Sequence, residues 1–292
     1  MTTEELIAEL RTLHPQGILD VCADPYANYV ATAGADGTIR IYALGSGAGT
    51  EANEPTSVLT HHRGAVARLY WLPAAYGNAL LSAGHDGLLI LWQDSGHGVW
   101  TISSKHQYDS PLADLSVTGG IACLMALDGV VALYSIEQTP VTLDLLCIGT
   151  HRIQGVPLVV SATAWNGGLR VACGLLSGHV LVYVVSDSGQ GKQFTEVTRT
   201  QCNGLTTPIR GLAWGSPLLT SCPTLAVGYE SGSIFVYDAS SDALAFSAPI
   251  YREDVEAPLT RLSYGPTGTT LAVAFGNDGT KLIYPFGSST CL

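Results

Sequence analysis

Six short segments of this chain share one layout, and that repetition constrains the fold more than any other feature. Residues 35–43 read ADGTIRIYA, 85–93 HDGLLILWQ, 127–135 LDGVVALYS, 176–184 LSGHVLVYV, 230–238 ESGSIFVYD and 277–285 NDGTKLIYP. In each, a small or acidic residue and a glycine precede a short run of β-formers with an aromatic near its end. The glycines Gly37, Gly87, Gly129, Gly178, Gly232 and Gly279 recur at spacings of 50, 42, 49, 54 and 47 residues. A recurring unit of this size marks a repeat architecture.

The physics of the unit is a hairpin. Asp-Gly or Ser-Gly supplies the positive-φ turn that joins two antiparallel strands. The runs YVATAG, ALLSAG, IACLMA, LRVACG, TLAVGY and TLAVAF precede the turns, and branched or aromatic runs follow them. Such side chains suit a packed pleat. In TIRIY, Ile39 and Ile41 share one face and alternate with Thr38 and Arg40. A further apolar segment lies upstream of each hairpin (ILDVCAD, AVARLYWL, PLADLSV, VVSATAW, PIRGLAW, PLTRLSY). A weaker one follows most of them (TSVLT, VWTISS, VTLDLLCI, FTEVTR, ALAFSA).

Four strands per unit, repeated about an axis, describe the blade of a β-propeller. The expected fold is therefore all-β, a six-bladed WD40-type propeller over residues 14–286. Its blades fall at about 14–60, 61–105, 106–155, 156–203, 204–250 and 251–286, within a few residues. Residues 1–13 form an N-terminal segment and 287–292 a short tail. The sixth unit shows no fourth strand. In the N-terminal segment, Leu6, Ile7 and Leu10 stand at helical spacing among Glu4, Glu5 and Glu9.

Charge narrows the function. Charged residues are 13% of the chain, about half of the ~25% usual in globular domains, while 47% are hydrophobic. That balance excludes disorder. Thirteen basic residues face 24 acidic ones, a formal net charge of −11, and the basic residues are scattered. Nucleic-acid binding needs clustered Lys and Arg, so it is not expected, and neither is adhesion to an anionic membrane. The longest apolar runs, residues 121–127 and 180–185, fall far short of the ~20 needed to cross a bilayer. The first 13 residues lack the pattern of a signal peptide. Seven cysteines with no CxxC pair read as reduced, intracellular thiols.

The chemistry-bearing residues read as structural. His61, His62, His85 and Asp86 lack the spacing of a metal site. His62 and His85 sit where WD40-type repeats use histidine and polar residues in turns and hydrogen bonds. Gly191-Lys192 ends a P-loop-like run, but Gln193 stands where a Ser or Thr would hold Mg²⁺. The glycine-rich residues 45–55 are followed by no helix, against a dinucleotide site. Asp36, Asp86, Asp128 and Asp278 occupy equivalent turns, one per blade, and do not converge. Trp71, Trp92, Trp100, Trp165 and Trp214 suit blade packing. No catalytic residue, cofactor or metal is expected.

The stretch from His61 to Trp100 resembles the second blade of the Sec-thirteen family, the propeller subunit of the outer COPII vesicle coat. The residues that carry the resemblance are His62, Gly64, Trp71, Pro73, the turn Tyr76-Gly77-Asn78, Asp86, Trp92 and Trp100. The first and fifth units are also similar to the family; the third departs most. Tyr42, Tyr134, Tyr183, Tyr237 and Tyr284 stand where a repeat tryptophan would be expected. The resemblance implies a non-catalytic, open six-bladed propeller whose missing blade comes from a Sec-thirty-one-like solenoid subunit. It implies a cytoplasmic protein, peripheral on COPII vesicles and ER exit sites, and in many organisms also docked to a nucleoporin in the Y-shaped scaffold of the nuclear pore.

An unclosed propeller exposes blade faces that a partner strand or sheet can cover by β-augmentation. We place the gap between the first and sixth blades. The expected partner contacts are Val30, Ala31, Ile39 and Ile41 on one side and Leu271, Val273, Leu282 and Ile283 on the other. Each of these also fits as blade-core filling. The competing readings are a Seh-one-like propeller of pore and nutrient-signalling complexes, a closed WD-repeat adaptor that binds peptides on its top face, and a propeller enzyme with a channel metal.

Overall fold

The computed structural model of the chain describes residues 13–44, 54–96, 98–140, 142–165, 168–189, 191–215, 223–240, 248–265, 267–276 and 279–286. Among them, regular structure is strand apart from two short 3₁₀ turns. The first sheet is β1 (Ile18–Ala23), β2 (Tyr29–Gly34), β3 (Ile39–Ala43) and β4 (Ser57–Leu59). The second is β5 (Val66–Trp71), β6 (Ala79–Gly84), β7 (Leu88–Asp94) and β8 (Trp100–Gln107). The third is β9 (Leu112–Thr118), β10 (Ile121–Ala126), β11 (Val130–Gln138) and β12 (Leu143–Arg152). The fourth is β13 (Pro157–Trp165), β14 (Gly168–Leu175), β15 (His179–Asp187) and β16 (Lys192–Gln201). The fifth is β17 (Ile209–Trp214), β18 (Thr224–Tyr229), β19 (Ser233–Asp238) and β20 (Tyr251–Asp254). The sixth has three strands, β21 (Leu259–Tyr264), β22 (Leu271–Phe275) and β23 (Gly279–Ile283).

Every sheet keeps its strands in chain order. This is the all-β, six-bladed propeller arrangement that the repeats predict. The outer strand expected at residues 243–248 of the fifth unit falls almost wholly outside the described residues, as do Asp278, Cys222, Cys291, residues 45–53 and residues 1–12. In the fifth sheet the outermost position is filled by Tyr251–Asp254, which the sequence grouping had counted with the sixth unit.

Glycine explains five of the hairpins. Gly37, Gly87, Gly129, Gly178 and Gly232 all have φ between 77° and 93°, where a side chain is strained. The sixth turn is offset by one residue. Gly279 pairs across from Phe275 inside the ladder, and Gly276 takes the positive φ instead, at 59°.

Two compact units divide the chain, Met1–Leu112 with Glu137–Leu145 and Ala113–Ile136 with Leu146–Leu292. In the first, β1 packs on β5, and Ala31, Ile39 and Ile41 share a core with Val66, Leu69 and Trp71. In the second, β13 packs on β17 and β17 on β21. One of its cores joins Val159, Val180 and Val182 to Ile209, Val227 and Phe235.

Adjacent inner strands are also tied by side chains. Half of the N–H groups of an inner strand point away from their own sheet. In the first unit, Leu69 N–H donates to Asp20 Oδ2 (2.9 Å) and Trp71 N–H to the Cys22 thiol sulfur (3.2 Å). The second unit repeats the device. Val160 N–H donates to Asp114 Oδ2 (2.8 Å) and Ala162 N–H to Ser116 Oγ (3.0 Å). An acidic residue followed two positions later by Cys or Ser thus clasps the next blade. Asp20 and Asp114 are both buried, so losing the acceptor strands a buried donor. Asp20→Ala should cost ~1–3 kcal/mol and Asp20→Asn, which keeps an oxygen, less. Urea unfolding checks this; an alanine variant as stable as the parent would refute the clasp.

Candidate docking surface

In the second sheet a chain of hydrogen bonds runs from the core to the turn. Trp92 Nε1–H donates to Ser82 Oγ (2.8 Å), whose own proton meets His62 Nε2 (2.8 Å), and His62 Nδ1–H reaches Asp86 Oδ1 (3.0 Å). Asp86 also accepts from Arg63 N–H (2.8 Å) and Leu88 N–H (3.1 Å). Every donor and acceptor is matched only when the imidazole is neutral. Burial lowers the His62 pKa below its ordinary 6.5, against the raising pull of Asp86. Burial likewise pushes the Asp86 carboxyl up, but the Arg63 N–H and His62 outweigh it and hold it below 3.8.

The first sheet repeats the arrangement with Thr32, His14 and Asp36: His14 Nε2 lies 2.8 Å from Thr32 Oγ1 and Nδ1 lies 3.1 Å from Asp36 Oδ1. Tyr42 replaces the tryptophan, and its buried hydroxyl has no hydrogen-bond partner. Both sheets need a glycine to make room. A Cβ on Gly84 would meet His62 Nδ1 at 2.5 Å, and one on Gly34 would meet His14 Nδ1 at 2.2 Å. In the fifth sheet Tyr229 stands at this position and substitutes for the pair. Its hydroxyl donates to Gly178 O (3.1 Å) and accepts from Cys202 N–H (3.0 Å).

The motif tryptophans serve packing as well. Trp71 meets Trp100 edge-on at 5.8 Å and stacks on Tyr29 at 6.3 Å. Its indole N–H donates to Asn78 Oδ1 (3.2 Å), and Asn78 donates to Asp94 (3.0 Å), which is how the Tyr76-Gly77-Asn78 turn is anchored. Trp214 N–H donates to Ser161 O (3.0 Å). Among the described residues no group of three or more His, Cys, Asp or Glu could hold a metal ion. Among the described residues no helix is long and apolar enough to cross a membrane.

Each of these hydrogen bonds lies within one of the two units. Of the eight contacts expected from sequence, Ala31, Ile39, Ile41, Leu271, Val273 and Ile283 are buried in hydrophobic cores of their own units. Val30 is half-buried, and Leu282 alone is well exposed. The physical reason is that β2, β3, β22 and β23 turn these side chains onto neighbouring strands of their own unit.

The accessible apolar groups lie elsewhere. On β1, Ile18, Leu19 and Val21 are exposed. The inner-strand bulges align β1 with its counterparts, since five sheets shift register at the same step: Ile18/Asp20, Val66/Arg68, Pro157/Val159, Ile209/Gly211 and Leu259/Arg261. Val21 then corresponds to Leu69, Val160, Leu212 and Leu262, and through the Asp114 clasp to Leu115. Those five are 3–5% exposed, whereas Val21 is 57% exposed. In the second unit, β23 and the residues after it expose Leu282, Tyr284 and Phe286.

The WD40 family (WD domain, G-beta repeat) matches residues 6–43. "Protein transport protein SEC13 homolog A" of Arabidopsis thaliana is 36% identical over 93 residues, 32% of this chain and 30% of that protein. "Protein transport protein sec13" of Schizosaccharomyces pombe is 34% identical over 97 residues, 32% of this chain and 30% of that protein. The chain thus spans less than a third of the length of these two relatives in the matched stretches. "Protein transport protein sec13" of Emericella nidulans is 24% identical over 295 residues, 92% of this chain and 91% of that protein.

The histidine chain sets an acid limit. Unfolded, His62 takes up its proton at the ordinary value; folded, it resists. The stability it contributes is whole above about pH 6.5 and is lost as pH falls below it. Asp86 adds a second loss as pH falls through its depressed folded value. The urea midpoint should drop between about pH 7.5 and about pH 5.5, and His62→Gln should flatten that drop. An equal drop in the variant would refute the assignment.

Proposed function

We propose that this chain, a WD40 propeller of the Sec-thirteen family, is a non-enzymatic scaffold subunit of a protein-transport coat, and that its first strand is a docking edge. The observation that carries this reading is the exposure of Val21, 57%, where its five counterparts are 3–5% exposed. An inner strand with apolar groups on an uncovered flank invites a blade from another chain. In the coat reading, that blade belongs to a Sec-thirty-one-like subunit of the COPII outer layer, and recruitment at ER exit sites and vesicles follows from it. The names of the similar proteins support protein transport; they do not name the partner.

Covering what remains exposed of Ile18, Leu19 and Val21, 40–57% of each, supplies about half of the ~1.5–3 kcal/mol of full burial for each. Backbone bonds along β1 add ~0.5–1.5 kcal/mol each. Apolar contact and backbone bonds therefore contribute comparably, with the hydrogen bonds fixing the register.

Titration with a recombinant blade-donating segment of a Sec-thirty-one-like subunit tests this. Val21→Asp should weaken binding by about 30-fold or more, because it removes apolar area and introduces a charge to be buried. The thermal melt should barely change, since Val21 is already in water. Val58→Asp, exposed on β4, should bind like the parent. Undiminished binding by Val21→Asp would reject the β1 edge. Capture of a Y-complex nucleoporin in place of the coat subunit would reject the coat assignment.

A further inference from the structure

The cations of the first unit are not evenly satisfied. Across the described chain, Arg40, Arg152, Lys192, Arg199, Arg210, Arg252 and Lys281 each have a carboxylate partner. The guanidinium of Arg63 and the ammonium of Lys105 have none, although the chain carries 24 acidic residues and a net charge of −11. Both side chains line one cavity of about 530 Å³ in the second sheet, with Thr60, His61, Asp86, Leu88 and Gln107.

Asp86 is the only acid in that lining, and it cannot neutralise them. Its oxygens are held by His62 Nδ1–H, Arg63 N–H and Leu88 N–H. Lys105 Nζ approaches only His61 Nε2, at 3.5 Å. Gln107 is fixed in place by its own bonds to Asp86 O (2.9 Å) and Tyr108 O (2.8 Å). The cavity therefore keeps a net positive charge, two cations against one fully engaged carboxylate. It also presents an apolar wall in Leu88 and the stems of the two cations. Its size lies within the ~300–1,000 Å³ of ordinary ligand sites.

We infer that this cavity is a recognition site for an acidic linear peptide, whose carboxylates pair with Arg63 and Lys105 while an apolar side chain rests on Leu88. The site lies on the turn side of the second sheet, apart from the β1 edge, and does not depend on the coat assignment. Arg63 suits the role because its backbone already anchors Asp86, which leaves the guanidinium free to fork onto a carboxylate.

Fluorescence anisotropy with a fluorescein-labelled peptide Glu-Glu-Leu-Glu-Glu tests this, with Lys-Lys-Leu-Lys-Lys and Gln-Gln-Leu-Gln-Gln as charge controls. The acidic peptide should bind the full chain and the other two should not. Raising salt from about 50 to about 200 mM should weaken it several-fold, as expected for exposed charges. Arg63→Ala with Lys105→Ala should weaken it about tenfold or more. The substitutions leave the Arg63 N–H bond to Asp86 intact, so an unchanged melting temperature shows that the fold is not at issue. Lys105→Arg should restore most of the affinity. Equal binding by the double variant, or of the basic peptide, would overturn the proposal. Full displacement by millimolar inorganic phosphate, with no preference for the acidic peptide over the neutral one, would also overturn it and point to a simple anion site.

Discussion

An inner strand of a blade can satisfy only half of its backbone within its own sheet, and the other flank must be served from next door. That requirement orders this molecule. Asp20 and Cys22 serve β5, and Asp114 and Ser116 serve β13. Apolar contact accompanies the bonds, so Leu69 and Val160 vanish into the contact. On β1 the same residue column is exposed at Val21. Docking and folding thus draw on one interface, and a partner blade would bind by the chemistry with which the chain's own blades hold together.

The fold was legible because its signals are local. An Asp-Gly or Ser-Gly pair dictates a turn within four residues, and alternation in TIRIY dictates which side chains face the core. The sixth turn escaped because NDG copies the motif while the ladder pairs Gly279 with Phe275 one step out of phase. Register is set by packing along the whole hairpin, which three letters do not contain.

The docking surface was far less legible. Ile39 and Ile41 read as candidates because apolar strands at the chain's ends promised a contact, yet their own sheets bury them. Val21 could not be told from Leu69 by type, since exposure depends on a neighbour and not on the residue. The clasp did carry a signal, the shared acid-x-Cys/Ser spacing of ILDVC and LADLS. Tyr229 carried one too, as a bulky residue where two other repeats hold glycine. Neither is visible without aligning the inner strands by their bulges.

The glycines beside the histidines have a steric consequence. While His14 and His62 occupy the space above Gly34 and Gly84, nothing larger can be accepted there. A repeat must therefore discard its imidazole before that glycine is free to vary. Ala126, Leu175 and Tyr229 hold the corresponding place in three repeats without such a histidine. In the first two blades the two positions therefore act as one steric unit, and the glycine cannot be substituted independently of the histidine.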